Sequence, residues 1–290
     1  MSYNQTNVYD VDPHIAEVYD QSETYRDDVD LLLSLMNPGK LGVRGSGATP
    51  NTQFSGISIL EPFCGTGRIL IPLAQAGHTL VGLDQAGGML DRARQKLASL
   101  SPGVQNRVTL YQADVIADEW PSGFDLVILG GNCLYELATP EEQEQVIRSA
   151  AASLRPGGYV YVDNDHMEGE LHPAWQRPGV GPSFPAGVCA DGARVESTMG
   201  TIWFDVSMRL AKFHRTTRVS LSGSSGTPGK VIEVAYIQQK HPVSKGEVQA
   251  WLERYGFVIE KILGDRAGNP YHSQSPRAIF WARKYPGDVS

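Results

Sequence analysis

The chain has 290 residues, 41% hydrophobic and 20% charged, with a formal net charge of −7. That length is enough to bury a real core in one large domain or two small ones. The acidic balance argues against a nucleic-acid partner, whose phosphates need a basic face. Cys64, Cys133 and Cys189 have neither disulfide nor metal-ligand spacing and suit a reducing compartment. The polar start "MSYNQTNVYD" lacks the regions of a secretory signal. No apolar run nears the roughly 20 residues of a membrane helix. A cytoplasmic protein without a membrane partner is the expectation.

In chain order, Asp12-Pro13 is a helix-start signal, a capping residue followed by proline at the first helical position. Two helical pieces are expected from there to Met36, the second opening on the acidic "DDVD". Residues 37–56 are rich in Gly, Ser, Thr, Pro and Asn and read as a flexible loop. Strands and helices then alternate. Strands are predicted at 57–61, 78–84, 108–114, 124–131 and 159–165. Helices fall at about 68–76 and 89–100, the latter with Met89, Leu90, Ala93 and Leu97 on one face. A third helix opens at Thr139-Pro140 with a capping box to Glu142. This alternation implies a parallel sheet with right-handed crossovers.

The pattern then changes. "GTIWFDVSMRL" alternates, with Ile202, Phe204, Val206, Met208 and Leu210 on one side, as in an antiparallel strand with one wet face. "FHRTTRVSL" and "KVIEVAYIQQ" read as two more strands joined by a Gly/Ser turn. An antiparallel sheet is therefore expected within 167–243. A capping box at Ser244 and Glu247 opens the last helix, and two strands close the chain.

The chemistry is concentrated in "ISILEPFCGTGRIL". A buried strand ends in a carboxylate, and Gly65-Thr66-Gly67 turns the chain into a helix. In open parallel sheets, ligands sit beyond the carboxyl ends of the strands. Glycines there let backbone amides approach a ligand at a helix N-terminus. Asp84 ends the second strand, where a carboxylate can accept both ribose hydroxyls. The cleft fits a nucleoside. A dinucleotide fingerprint fails, because its third glycine is Leu70.

Glu61-Pro62-Phe63-Cys64-Gly65-Thr66-Gly67 resembles the first motif of the class I S-adenosylmethionine-dependent methyltransferases, acid-x-G-x-G-x-G, with Phe63 replacing the first glycine. The similarity covers 57–165 and is closest to the small-molecule branch that acts on glycine or amino sugars. It implies an α/β, Rossmann-like seven-stranded sheet, mostly parallel, with the last strand antiparallel. The inserted antiparallel sheet and the N-terminal helices (1–36) would form a lid within one domain of 290 residues.

The resemblance also implies S-adenosyl-L-methionine as cofactor. Glu61, Gly65 and Gly67 would surround its methionine end and Asp84 would hold the ribose. Asp114 and Val115 would meet the adenine, and Gly130, Gly131 and Asn132 would face the sulfonium. Tyr19 and Tyr25 would close over the cofactor. Related enzymes often carry a histidine in "N-x-x-x-H-L"; here the segment is "NCLYEL", so Glu136 takes that place.

Glu136, Tyr135 and Asp165 are the candidate catalytic residues, with Asp163 and His166 beside Asp165. Arg68 is a candidate partner for the cofactor carboxylate. His214, His241 and His272 are weaker candidates. Plainer readings stand beside these: Asp84 and Asp114 as caps, Asn132 as a turn residue, the tyrosines as packing, Cys64 as a small buried residue. The expected activity is methyl transfer to a small-molecule acceptor, nitrogen ahead of oxygen. A non-catalytic cofactor-binding module and a nicotinamide oxidoreductase are the alternatives. No metal is expected.

Overall fold

The computed structural model describes residues 7–37, 56–165, 179–222 and 229–285. Residues 38–55, His166 and the beginning of the insert lie outside the described residues.

Helix α1 (Pro13–Ser22) starts where the sequence signals it: Pro13 is the first helical residue, and the Asp12 side chain accepts from the His14 amide at 3.0 Å. Helix α2 (Asp27–Met36) follows with three acidic residues in its first turn. The alternating unit then runs β1 (Ser58–Pro62), α3 (Leu70–Gln75), β2 (Thr79–Asp84), α4 (Gly87–Ala98), α5 (Pro102–Gln105), β3 (Val108–Gln112), β4 (Phe124–Leu129), α6 (Pro140–Ser153) and β5 (Leu154–Asp165). After an antiparallel insert come α7 (Lys245–Arg254), β10 (Phe257–Leu263) and β11 (Arg277–Lys284). The large sheet has seven strands in the order β10-β11-β5-β4-β1-β2-β3. Only β11 runs against its neighbours.

Strand β4 is buried at every position, as a central parallel strand must be when helices cover both faces. Alternate residues feed two cores. Ile59, Ile128, Tyr161, Ile279 and Trp281 pack with α2 and α3, while Leu60, Val127, Val160, Val162 and Phe280 pack with α6 and α7. Tyr159 stacks on Trp281 with ring centroids 4.8 Å apart. Truncating a fully buried side chain here, such as Leu126→Ala, costs about 2–5 kcal/mol. Ser244 and Glu247 complete their capping box on α7. At α6, Thr139 accepts from the Glu142 amide, but the Glu142 carboxylate reaches back to Ala138 rather than to Thr139.

The insert is a four-stranded antiparallel sheet, β6 (Val180–Val188), β7 (Arg194–Asp205), β8 (Leu210–Ser220) and β9 (Val231–Lys240), in that order. It corrects one expectation. The alternation across 200–210 does not belong to one strand: β7 ends at Asp205, and Val206 and Met208 lie in the hairpin turn. Asp205 Oδ1 accepts from the amides of Ser207 (2.8 Å) and Met208 (3.0 Å), and Arg209 takes a φ of 54° to return the chain. A register shift between Thr201 and Trp203 also breaks the two-residue period, so Ile202 and Phe204 are exposed rather than packed. Helix α1 packs against β6 and β7: Ile15 and Val18 share a core with Cys189, Val195 and Val219.

Candidate active site

Strand β1 lies between β2 and β4, so the chain order reverses there and a crevice opens beyond the strand ends. A cleft of about 660 Å³ occupies it, with walls from the seven-stranded sheet, the N-terminal segment and the insert.

The floor is the glycine turn. Gly65 and Gly67 have φ of 53° and 78°, values that favour glycine, and Cys64 bonds its amide to the Leu83 carbonyl at 2.9 Å. Phe63 also has a positive φ, 64°. A side chain thus stands where the related motif has glycine, and it lines the cleft. Left-handed backbone costs a non-glycine residue roughly 1–2 kcal/mol.

The structure brings Tyr19, Tyr25, Glu61, Gly65, Asp84, Val115, Gly130, Asn132, Tyr135 and Glu136 to the cleft wall. Gly67, Asp114 and Asp165 are not on it. Gly67 acts in the turn, where an added Cβ would meet Ile71 at 3.1 Å. Asp114 caps its own turn, accepting from the amides of Ile116 (2.9 Å) and Ala117 (3.2 Å). Asp165 is held by Arg277 and by Asn132 Nδ2 (3.0 Å).

Asn132 takes a φ of 62°, and its Oδ1 accepts from the Asp165 amide and from Arg277, each at 2.8 Å. It is a clip between two strand ends as well as a wall residue. Tyr135 donates to the Asp165 carbonyl at 2.8 Å, and burial raises its pKa, so it is a neutral donor rather than a base. His214, His241 and His272 are not on the wall. Cys64 and Cys133 are, but burial pushes both thiols up, which makes them inert fillers.

Glu61 is 4% exposed, and its Oε2 has no hydrogen-bond partner. Burial raises its pKa well above the usual carboxylate range, against the lowering effect of nearby Arg68. Asp84 accepts from the Gly65 and Ala86 amides, each at 2.8 Å, and burial still pushes it up to about 6. Glu61 Oε2 has no donor, and the two amides at Asp84 do not offset its burial. An α-ammonium at Glu61 and ribose hydroxyls at Asp84 would supply donors. The residues present therefore fit S-adenosylmethionine.

At the same end, Tyr25 lies between two guanidinium groups, Arg68 at 4.0 Å and Arg266 at 4.6 Å from its ring centre. Arg68 is not unpaired. It grips buried Asp28 bidentately at 2.9 and 2.6 Å. Arg266 and Arg277 share Asp163, at 2.9 and 2.6 Å.

Residues 60–160 match the family model described as a methyltransferase domain. The chain carries a methyltransferase domain and is an S-adenosylmethionine-dependent methyltransferase. Its cofactor is S-adenosylmethionine. This methyltransferase is 29% identical over 266 residues to the cypemycin N-terminal methyltransferase of a Streptomyces species, spanning 89% of this chain and 94% of that protein. Its fold matches the CcbJ methyltransferase of Streptomyces caelestis, TM-score 0.64 at 21% identity, over 96% of this chain and 98% of that one. It also matches the sugar N-methyltransferase KedS8 of a Streptoalloteichus species, TM-score 0.65 at 16% identity, over 98% and 99%.

Several wall residues of the methyltransferase escaped the sequence reading. Tyr9 stands edge-on to Tyr19, ring centres 5.7 Å apart, and Tyr19 edge-on to Phe184 at 5.6 Å. Arg215, Tyr236, Gln238 and Lys240 enter from β8 and β9. The strand period signals them: Phe213 and Arg215, and likewise Tyr236, Gln238 and Lys240, are two apart and share one face.

Proposed function

We propose that this methyltransferase acts on an amine nitrogen of a small-molecule acceptor, with Glu136 as the group that draws the amine in. Glu136 carries the reading. Its side chain is 59% exposed yet stands inside the cleft, facing Lys240 Nζ at 3.3 Å and Gln238 Nε2 at 3.5 Å. Lys240 lowers its pKa, so the carboxylate is charged at neutral pH. A charged carboxylate beside Tyr9 and Tyr19 suits a cationic amine better than a neutral hydroxyl.

The bound ammonium first loses a proton to solvent, which frees its lone pair; S-adenosylmethionine would then supply an electrophilic methyl, the N–C bond forming as the S–C bond breaks, leaving S-adenosylhomocysteine and a methylated ammonium. The low pKa of Glu136 makes it a weak base. Its role is to hold the nitrogen close and aligned, which itself accelerates an in-line displacement. Tyr135, a neutral phenol on the same wall whose hydroxyl donates to the Asp165 carbonyl, orients the acceptor by packing. Asp165, engaged by Arg277 and Asn132, supports that wall. Helix α1 and the inserted sheet act together as a lid within one domain. The named activities of the cypemycin and KedS8 relatives, both N-methyl transfers, support nitrogen as the acceptor atom.

The test is a metabolite screen with S-adenosylmethionine carrying a deuterated methyl, read by mass spectrometry. The label is expected on nitrogen of a small amine. Label on oxygen, or none with any amine extract, would overturn the reading.

A further inference from the structure

The cleft has an anion pole and a cation pole. Glu136 is the first. The second is Arg215, which the inserted sheet presents to the cleft from β8. Its guanidinium is fixed from both sides. Nη1 donates to Gln238 Oε1 at 2.8 Å on β9, and Nη2 donates to Ser183 Oγ at 2.9 Å and to the Phe184 carbonyl on β6. All three acceptors are neutral. Among the described residues no carboxylate pairs with Arg215, and its Nε donates to none of them.

Other cations on the cleft wall have their counter-charges. Arg68 has Asp28, Arg266 and Arg277 have Asp163, and Lys240 has Glu136. Arg215 is the exception on the acceptor side. Its near surroundings are apolar or aromatic: Met199, Phe213, Phe184 and Tyr236, whose ring centre is 6.0 Å from the guanidinium. Its charge is felt by Glu136 across Gln238, but the two form no salt bridge, so a guanidinium pre-oriented in such a place still attracts an anion. Gln238 joins the poles: its amide oxygen accepts from Arg215 while its amide nitrogen faces Glu136 at 3.5 Å. One side-chain amide thus holds a fixed cation and a fixed anion apart.

We propose that the acceptor is zwitterionic: its amine lies at Glu136 and a carboxylate on the same molecule docks on Arg215. This rests on the amine reading above and narrows it to amines that bear a carboxylate. The planar fork of arginine favours carboxylate, and rotation of the acceptor about that contact is blocked by the Phe184 and Tyr236 rings. Arg215 is then a specificity residue. A purely structural role, stapling β6 to β9, would leave acceptor preference untouched.

Two measurements on the full chain separate these readings. The first is binding to the S-adenosylhomocysteine complex, which needs no turnover. Benzoate should raise the melting temperature saturably, and benzamide should not. Arg215→Gln should abolish the benzoate effect while retaining affinity for S-adenosylhomocysteine. Equal shifts with benzoate and benzamide, a benzoate effect that survives Arg215→Gln, or a response to phenyl phosphate with none to benzoate would each overturn the proposal.

The second is turnover of amino acids against the matching carboxamides. The acid should be preferred by at least roughly tenfold, the scale of one charge-assisted hydrogen bond, and Arg215→Gln should erase the preference. Amines methylated without regard to a carboxylate would overturn the zwitterion and leave N-methylation standing. Oxygen methylation would remove both.

Discussion

Thr66 Oγ1, in the glycine turn, donates to Asp20 Oδ1 on α1 at 2.5 Å. The same carboxylate takes Lys96 Nζ at 2.8 Å and Arg92 Nε at 2.9 Å from α4. Asp20 therefore ties the N-terminal helix both to the glycine turn that floors the cleft and to helix α4. Burial works against its charge, but Lys96, Thr66 and Arg92 hold its pKa below the usual value.

Asp20→Asn should loosen α1 over the cleft. Affinity for S-adenosylhomocysteine, measured by calorimetry, should fall roughly tenfold, and stability by about 1–3 kcal/mol, the cost of losing bonds to charged partners. Because the native pKa is depressed, this stability is present above the unfolded value and is lost as pH falls through the native one. Unchanged affinity would mean that α1 does not govern cofactor retention.

Asp84 gives a pH dependence of the opposite sign. Its native pKa is raised to about 6, so the ligand-free protein loses stability as pH rises from the unfolded carboxylate value towards 6, and the cost is complete above that. Ribose hydroxyls donate best to the ionised form. Affinity for S-adenosylhomocysteine should be level above pH 6 and fall below it, approaching tenfold per pH unit. Asp84→Asn should bind weakly at every pH. A flat wild-type profile from pH 5 to 8 would show that Asp84 does not hold the ribose.

Glu136→Gln keeps the shape and removes the charge. With an acceptor found in the metabolite screen, kcat/KM should fall by roughly tenfold or more, about 1.4 kcal/mol of transition-state stabilisation. Cofactor affinity should hardly move. If turnover stayed level, Glu136 would be only a partner for Lys240.

Glu247 caps α7 and meets His241 Nε2 at 2.9 Å. Despite its burial, the bonds from His241 and Ser244 hold its pKa at about 2. Glu247→Gln should lower stability by about 1 kcal/mol, the scale of a helix cap. The difference from wild type should be full above the unfolded carboxylate value and shrink as pH falls towards 2. Urea titrations at pH 3 and pH 7 would check this. Equal losses at both would assign the effect to packing.

The sheet and its cofactor edge were legible because their causes are local. Buried strands read as continuous apolar runs, helix starts carry Asp12-Pro13, Thr139 and Ser244, and the glycine turn needs its conformation whatever surrounds it. The 200–210 hairpin was misread for a local reason too: Val206 and Met208 in the turn kept an alternating pattern after the strand had ended at Asp205.

By itself, then, the sequence determined the order of strands and longer helices in the seven-stranded sheet, though not strand β6 of the insert or the short α5, and it determined the position of the turn at 65–67 and the carboxylates at the ends of β1 and β2. Periodicity, capping and turn chemistry act between near neighbours in the chain. Only the tertiary structure decided which side chains share the cleft. Asp114 and Asp165 are spoken for by neighbouring amides and by Arg277, while Tyr9 and Arg215 are brought in from segments far apart in sequence. Their charges acquire partners, or lack them, through long-range packing of α1 and the inserted sheet, which no short window of residues encodes.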